Sequence, residues 1–168
     1  SLSTGTGLLA MYAADLRDEG KLSAKEIYEK CLARVDKVQA SFVVDTMEYL
    51  YKGGRCSGLA SFFAGALKIK PSLILRDGKI TVGPKYMGNM VKSITKYCEN
   101  IIENYPHADK TRVFVTHTSA DEKVVEAAKA VVREKIGPVE IIETVAGSVV
   151  TSHCGKGTLG ILYINDAE

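Results

Sequence analysis

Asp77-Gly78 reverses the chain between two short apolar runs, Ser72 to Leu75 and Ile80 to Val82. Both central residues of Arg76-Asp77-Gly78-Lys79 accept positive φ, as a two-residue hairpin turn requires, so the middle of the chain is committed to antiparallel strands. The flanking sequence predicts what packs on them. Leu8, Leu9, Tyr12 and Leu16 recur at helical spacing ahead of Gly20, predicting a helix over about residues 7 to 19. Ser23 with Glu26 makes a capping box that opens a second helix, whose apolar face runs through Ile27, Cys31, Leu32 and Val35. Ser41 to Thr46 reads as a buried strand, Met47 to Tyr51 as one or two helical turns, and Ser57 to Leu67 as a helix. An amphipathic helix follows from Asn89 to Tyr105, then a strand at Val113-Phe114-Val115 and a helix capped by Ser119 and Glu122. Val139 to Thr144 and Leu159 to Ile164 supply two further strands. Strands alternating with helices predict the α/β class with α+β-type layers: a mixed six-stranded sheet packed with helices, in one domain over residues 1–168.

Composition narrows the function classes. A chain of 168 residues buries about 70% of its unfolded surface, enough for a core without staples. A formal charge of +2 is too near neutral for a nucleic-acid footprint. Cys31, Cys56, Cys98 and Cys154 are widely spaced with no Cys-x-x-Cys pair, which excludes a zinc knuckle and a thioredoxin motif and fits reduced thiols. No apolar run reaches the roughly 18 residues of a membrane span, and no signal region opens the chain. The expectation is a cytoplasmic chain without a transmembrane segment. His107, His117 and His153 are dispersed, and with no His-x-x-x-His pair or clustered carboxylates the sequence predicts neither a metal nor a cofactor.

Three segments carry candidate chemistry. Gly155-Lys156-Gly157-Thr158 invites a phosphate-loop reading, but Val150 and Gly157 stand where that motif needs Gly and Ser or Thr. The run Thr151 to Gly160 suits an anion instead, because flexible glycines bring backbone N–H groups close while His153 donates or holds a water. Arg55, after two glycines, either points its guanidinium into a cleft or satisfies helix-end carbonyls. Leu59, Phe62, Phe63, Ala66, Leu67 and Ile69 form the most apolar face of the chain, which serves equally as core or as the lining of an acyl tunnel. Cys154 beside His153 opens a rival reading, a small cytosolic hydrolase or transferase, although neighbours on a strand-like segment point apart.

The order of these pieces resembles the DegV family of bacterial fatty-acid-binding proteins. The similarity runs through Ser3 to Leu9 (Ser-x-Gly-x-Gly-Leu-Leu) and through Asp45-Thr46, Tyr49-Leu50, Gly53-Gly54-Arg55, Ser57-Gly58-Leu59 and Lys70-Pro71. It continues in the Asp-Gly hairpin and the final glycine loop, where Ser152, Cys154 and Lys156 replace the family's Thr, Thr and Pro. The resemblance implies a DegV carboxy-terminal-domain-like fold and a long-chain fatty acid as ligand, with no catalytic residue. Its acyl tail would lie against Leu59, Phe62, Phe63, Ala66 and Ile69, its carboxylate at an interdomain cleft near Arg55, Ser152, His153, Gly155 and Gly157. It further implies a missing amino-terminal domain and presentation of the carboxylate to an ATP-dependent fatty acid kinase subunit. Met87-Gly88-Asn89 stands where many members carry a segment resembling Arg-Gly-Arg.

Overall fold

The computed structural model describes residues 1–53 and 69–167. The chain runs through α1 (Thr4–Asp18), α2 (Ala24–Arg34), a 3-10 turn (Val35–Lys37), β1 (Val38–Val43), α3 (Glu48–Lys52), β2 (Ile69–Arg76) and β3 (Lys79–Met87). It continues through α4 (Met90–Asn104), β4 (Arg112–His117), α5 (Glu122–Lys135), β5 (Glu140–Val145), α6 (Ser148–Cys154) and β6 (Leu159–Ile164). Among the described residues, six strands form one mixed sheet in the order β3-β2-β1-β6-β4-β5. Within it β4 and β5 pair in parallel, and α5 supplies the crossover that a parallel pair requires; the other neighbours are antiparallel.

Local chemistry accounts for most of these elements. Arg76 pairs with Lys79 across the predicted hairpin, with Asp77 at φ 49° and Gly78 at φ 73°. The Ser23 and Glu26 capping box closes as expected, and Gly20 ends α1 at φ 66°. Asn89 caps α4 by accepting the Lys92 N–H, after which Ile94, Tyr97, Cys98 and Ile101 bury one face. β6 lies at the centre of the sheet and is buried at all six positions.

Alternation along the strands divides the core between two faces. Val43, Ile74, Val113, Val115, Leu159 and Ile161 pack against α4 and α5. Val38, Ala40, Phe114, Leu162 and Ile164 pack against Leu8 of α1 on the opposite face. A smaller cluster of Val44, Leu50, Leu73 and Cys154 joins α3 to α6 at one end of the sheet. Ion pairs fasten the helical layer of α1 and α2. Arg34 donates to Asp166 at 2.7 and 2.5 Å and to Asp109 at 2.7 Å, with its guanidinium 4.4 Å from the Tyr12 ring. Arg112 donates to Asp15 at 2.6 and 3.2 Å.

Several expectations change. The strand expected over residues 41–46 begins at Val38 and ends at Val43, because Val38 and Ala40 already face the α1 core. α1 begins at Thr4, within the glycine-containing run. Asp121, not Ser119, caps α5 by accepting the Lys123 N–H, and Ser119 sits at φ 50° in the preceding turn. α2 buries no residue fully, and Leu32 of its apolar face is 56% exposed. Thr151 to Cys154, read from sequence as loop, form the end of α6. The helix expected over 57–67 lies outside the described residues. Among the described residues no helix is long and apolar enough to cross a membrane.

Candidate functional site

A cavity of about 230 Å³ opens on the α1 face of the sheet. Ala40 and Phe42 of β1, Gly160 and Leu162 of β6 and Thr116 of β4 contribute to its lining. Leu2, Leu50, Ile80, Val149 and Val150 add apolar walls from the start of the chain, α3, β3 and α6. Gly160 has a steric task in this floor. A β-carbon there would collide with the Ser41 carbonyl and come within 2.9 Å of Phe42 Cβ, so only glycine lets β1 take this path.

The hydroxyls of Ser41, Thr116, Thr118 and Thr158 and the His117 ring, all on the cavity lining, are hydrogen-bonded within the fold, whereas the buried Gln39 Oε1 behind Ser41 has no hydrogen-bond partner among the described residues. Thr116 Oγ1 bonds Thr4 Oγ1 at 2.6 Å and Thr144 Oγ1 at 2.8 Å. Thr118 donates to the Gly155 carbonyl and accepts the Thr158 N–H at 3.0 Å, while Thr158 donates to the Cys154 carbonyl at 2.9 Å. Ser41 bonds Tyr97 Oη at 2.7 Å and Gln39 Nε2 at 2.6 Å. His117 is committed at both nitrogens: Nδ1 accepts the Ala120 N–H at 3.1 Å, which leaves Nε2–H to donate to Glu143 at 3.1 Å. Glu143 bridges on to Lys129, and hydrogen bonds from Lys129 first and His117 second hold its carboxyl below the usual range. Sequence reasoning missed the Glu143 partnership because 26 residues separate the pair.

His153 differs. It lines the cavity from the last turn of α6, is half-buried, and has no hydrogen-bond partner among the described residues. Its Nδ1 lies over Gly53, at the end of α3. Cys154 also lines the cavity, but successive residues of a helix project about 100° apart, so the two do not face each other as base and nucleophile.

The other sequence-predicted site residues are distributed as follows. The Ser152 hydroxyl is exposed and donates to the Val149 carbonyl at 2.9 Å. Gly155 N–H donates to the Thr151 carbonyl and Gly157 N–H to the Thr118 carbonyl, both at 2.8 Å. With φ of 78° and 82°, these glycines make the turn from α6 into β6, and their N–H groups are engaged within the fold. Ile69 opens β2 opposite Met87 and does not line the described cavity. Arg55, Leu59, Phe62, Phe63 and Ala66 lie outside the described residues. Among the described residues, no three His, Cys, Asp or Glu side chains gather where a metal could be held.

Comparison with known proteins gives this architecture its relatives. A family model described as an uncharacterised protein of the DegV family matches residues 1–166. A DegV domain-containing protein of Clostridium perfringens is 31% identical over 165 residues, covering 98% of this chain and 56% of its own. A fatty acid-binding protein of Thermotoga maritima is 31% identical over 155 residues, covering 91% of this chain and 53% of that protein. The crystal structure of a DegV lipid binding protein, also from Thermotoga maritima, superposes with a TM-score of 0.81 at 28% identity, covering 98% of this chain and 56% of that one. The chain thus spans about half the length of the relatives it matches.

Proposed function

Since the chain belongs to the DegV family, we propose that it forms the acyl-binding part of a long-chain fatty-acid-binding protein. The tail occupies the cavity on the α1 face and the carboxylate lies beside His153. One observation carries this reading: the Ser41, Thr116, Thr118, Thr158 and His117 side chains on the cavity lining are hydrogen-bonded within the fold, whereas the half-buried imidazole of His153 on its wall has no hydrogen-bond partner among the described residues. Such a lining is compatible with methylene groups, each worth about 0.8 kcal/mol when moved out of water, and the imidazole can donate to an anion at one end. The kinship with proteins described as fatty acid-binding and lipid binding supports the same ligand class.

Arg55 joins His153 at the head group in this proposal, and Leu59, Phe62, Phe63, Ala66 and Ile69 extend the tail pocket. Residues outside this sequence, from an amino-terminal domain, complete the carboxylate site. The protein works as a carrier in the cytoplasm and presents the carboxylate to an ATP-dependent kinase subunit. The hydrolase or transferase alternative is not favoured, because His153 and Cys154 diverge on α6 and His117 is held by Glu143 and Ala120.

Full-length protein purified from cells should carry about one equivalent of long-chain fatty acid, detected by native mass spectrometry and lipid extraction. The same loaded protein, given ATP and a kinase subunit, should yield acyl phosphate. Absence of lipid together with no calorimetric response to oleate or palmitate would sink the carrier reading. Lipid without acyl phosphate would remove only the kinase partnership.

A further inference from the structure

The two short helices at the cavity wall interlock through a pair of glycines. Gly155, which ends α6, lies under the Tyr49 ring of α3: a β-carbon there would sit 2.5, 2.8 and 3.2 Å from Tyr49 Cδ2, Cε2 and Cγ. Gly53, which ends α3, lies under the imidazole of α6 in the reciprocal arrangement: a β-carbon there would sit 2.7 Å from His153 Nδ1 and 3.5 Å from Cε1. Leu50, between Tyr49 and Gly53, packs with Cys154 and Val150 and fixes the spacing of the two helices. We propose that Gly53 is a positioning residue for head-group recognition, its bare α-carbon providing the seat on which the His153 ring is oriented. This rests on the reading of His153 as the carboxylate anchor.

The backbone separates this role from simple fold maintenance. No positive φ demands glycine at this position, because Gly53 sits at φ −77°, ψ −1°, a conformation any residue adopts. Alanine there carries no backbone strain and lowers the entropy of the unfolded chain. What alanine meets first is the edge of a half-buried ring, and second the Tyr49 carbonyl oxygen of α3 at 3.1 Å; the larger overlap is with the side chain, so the substitution chiefly displaces the imidazole, and the backbone gives by only a few tenths of an ångström. Gly155 is different, since its φ of 78° would make any substitution a backbone defect as well.

The test is Gly53→Ala in the full-length protein, read by thermal unfolding, by calorimetry with oleate and with the matching fatty alcohol, and by the imidazole ¹H–¹⁵N resonances of His153. The expected result is an undiminished Tm, a shifted His153 resonance, roughly tenfold weaker oleate binding, and alcohol binding within about twofold of the parent, the size of one charge-assisted hydrogen bond. In the His153→Ala background the same substitution should cost oleate affinity nothing further. A lowered Tm with equal loss of both ligands would make Gly53 merely structural and overturn the inference. Unchanged oleate affinity, alongside a defect in His153→Ala, would overturn it too while leaving the head-group reading intact. A parent protein that binds neither ligand would overturn both.

Discussion

Truncating His153 removes an imidazole that makes no hydrogen bond among the described residues, so the loss should fall on a ligand's charge and spare the fold. His153→Ala is expected to weaken oleate binding by about one to two decades, the cost of a hydrogen bond to a charged group, and to leave the matching fatty alcohol little changed. Calorimetry with both ligands checks this; equal loss for acid and alcohol would relocate the carboxylate. The candidacy of His153 was legible in the sequence because glycines let backbone N–H groups approach an anion and an imidazole beside them can donate to it. The engagement of Ser152, Gly155 and Gly157 was not legible, since the pattern carries no record of where a helix ends. α6 runs through Cys154, and the glycines spend their N–H groups closing it and turning into β6.

At the scale of elements, β1 and β6 depend on a side chain from outside the sheet. Their ladder pairs Val38, Gln39 and Ala40 with Ile164, Tyr163 and Leu162, then resumes at Val43 with Leu159. In the interval the buried Tyr97 hydroxyl of α4 accepts the Ile161 N–H at 3.2 Å and bonds Ser41 Oγ at 2.7 Å. Tyr97→Phe leaves those groups buried without that partner and should cost about 1–3 kcal/mol in urea unfolding, with little change in m-value. A loss under about 0.5 kcal/mol would mean the ladder closes without the hydroxyl. The helical spacing of Ile94, Tyr97, Cys98 and Ile101 announced the buried face of α4, but not this task, because periodicity locates a face and says nothing of what it touches. Asp77-Gly78 is the opposite case. Its turn is decided by two residues' own φ preferences and was readable in full.

For the whole molecule, carboxylates bound by distant cations link stability to pH. Burial pushes the Asp109 carboxyl up, but Thr111 and Arg34 outweigh it and hold it below its ordinary 3.8; Lys129 and then His117 hold Glu143 below 4.5. For such groups the unfolded chain binds more protons in acid, so their contribution is complete above the unfolded values and is lost as pH falls through the folded ones. Tm should therefore be flat with respect to these groups above about pH 5 and fall steeply below about pH 4. Asp109→Asn should shallow that fall; an unaltered acid slope would show that the Arg34 cluster does not carry it. Chemistry within a few residues of chain determined the hairpin, the Ser23 cap, the amphipathic helices and the count of strands, because turn preference, capping and periodicity act over that range. Tertiary structure alone decided that Glu143 would hold His117, that Gly160 would yield to Ser41, and that Gly53 would lie beneath His153. Each joins segments far apart in the chain, and such contacts are set by how the layers pack over the sheet, which no local pattern encodes.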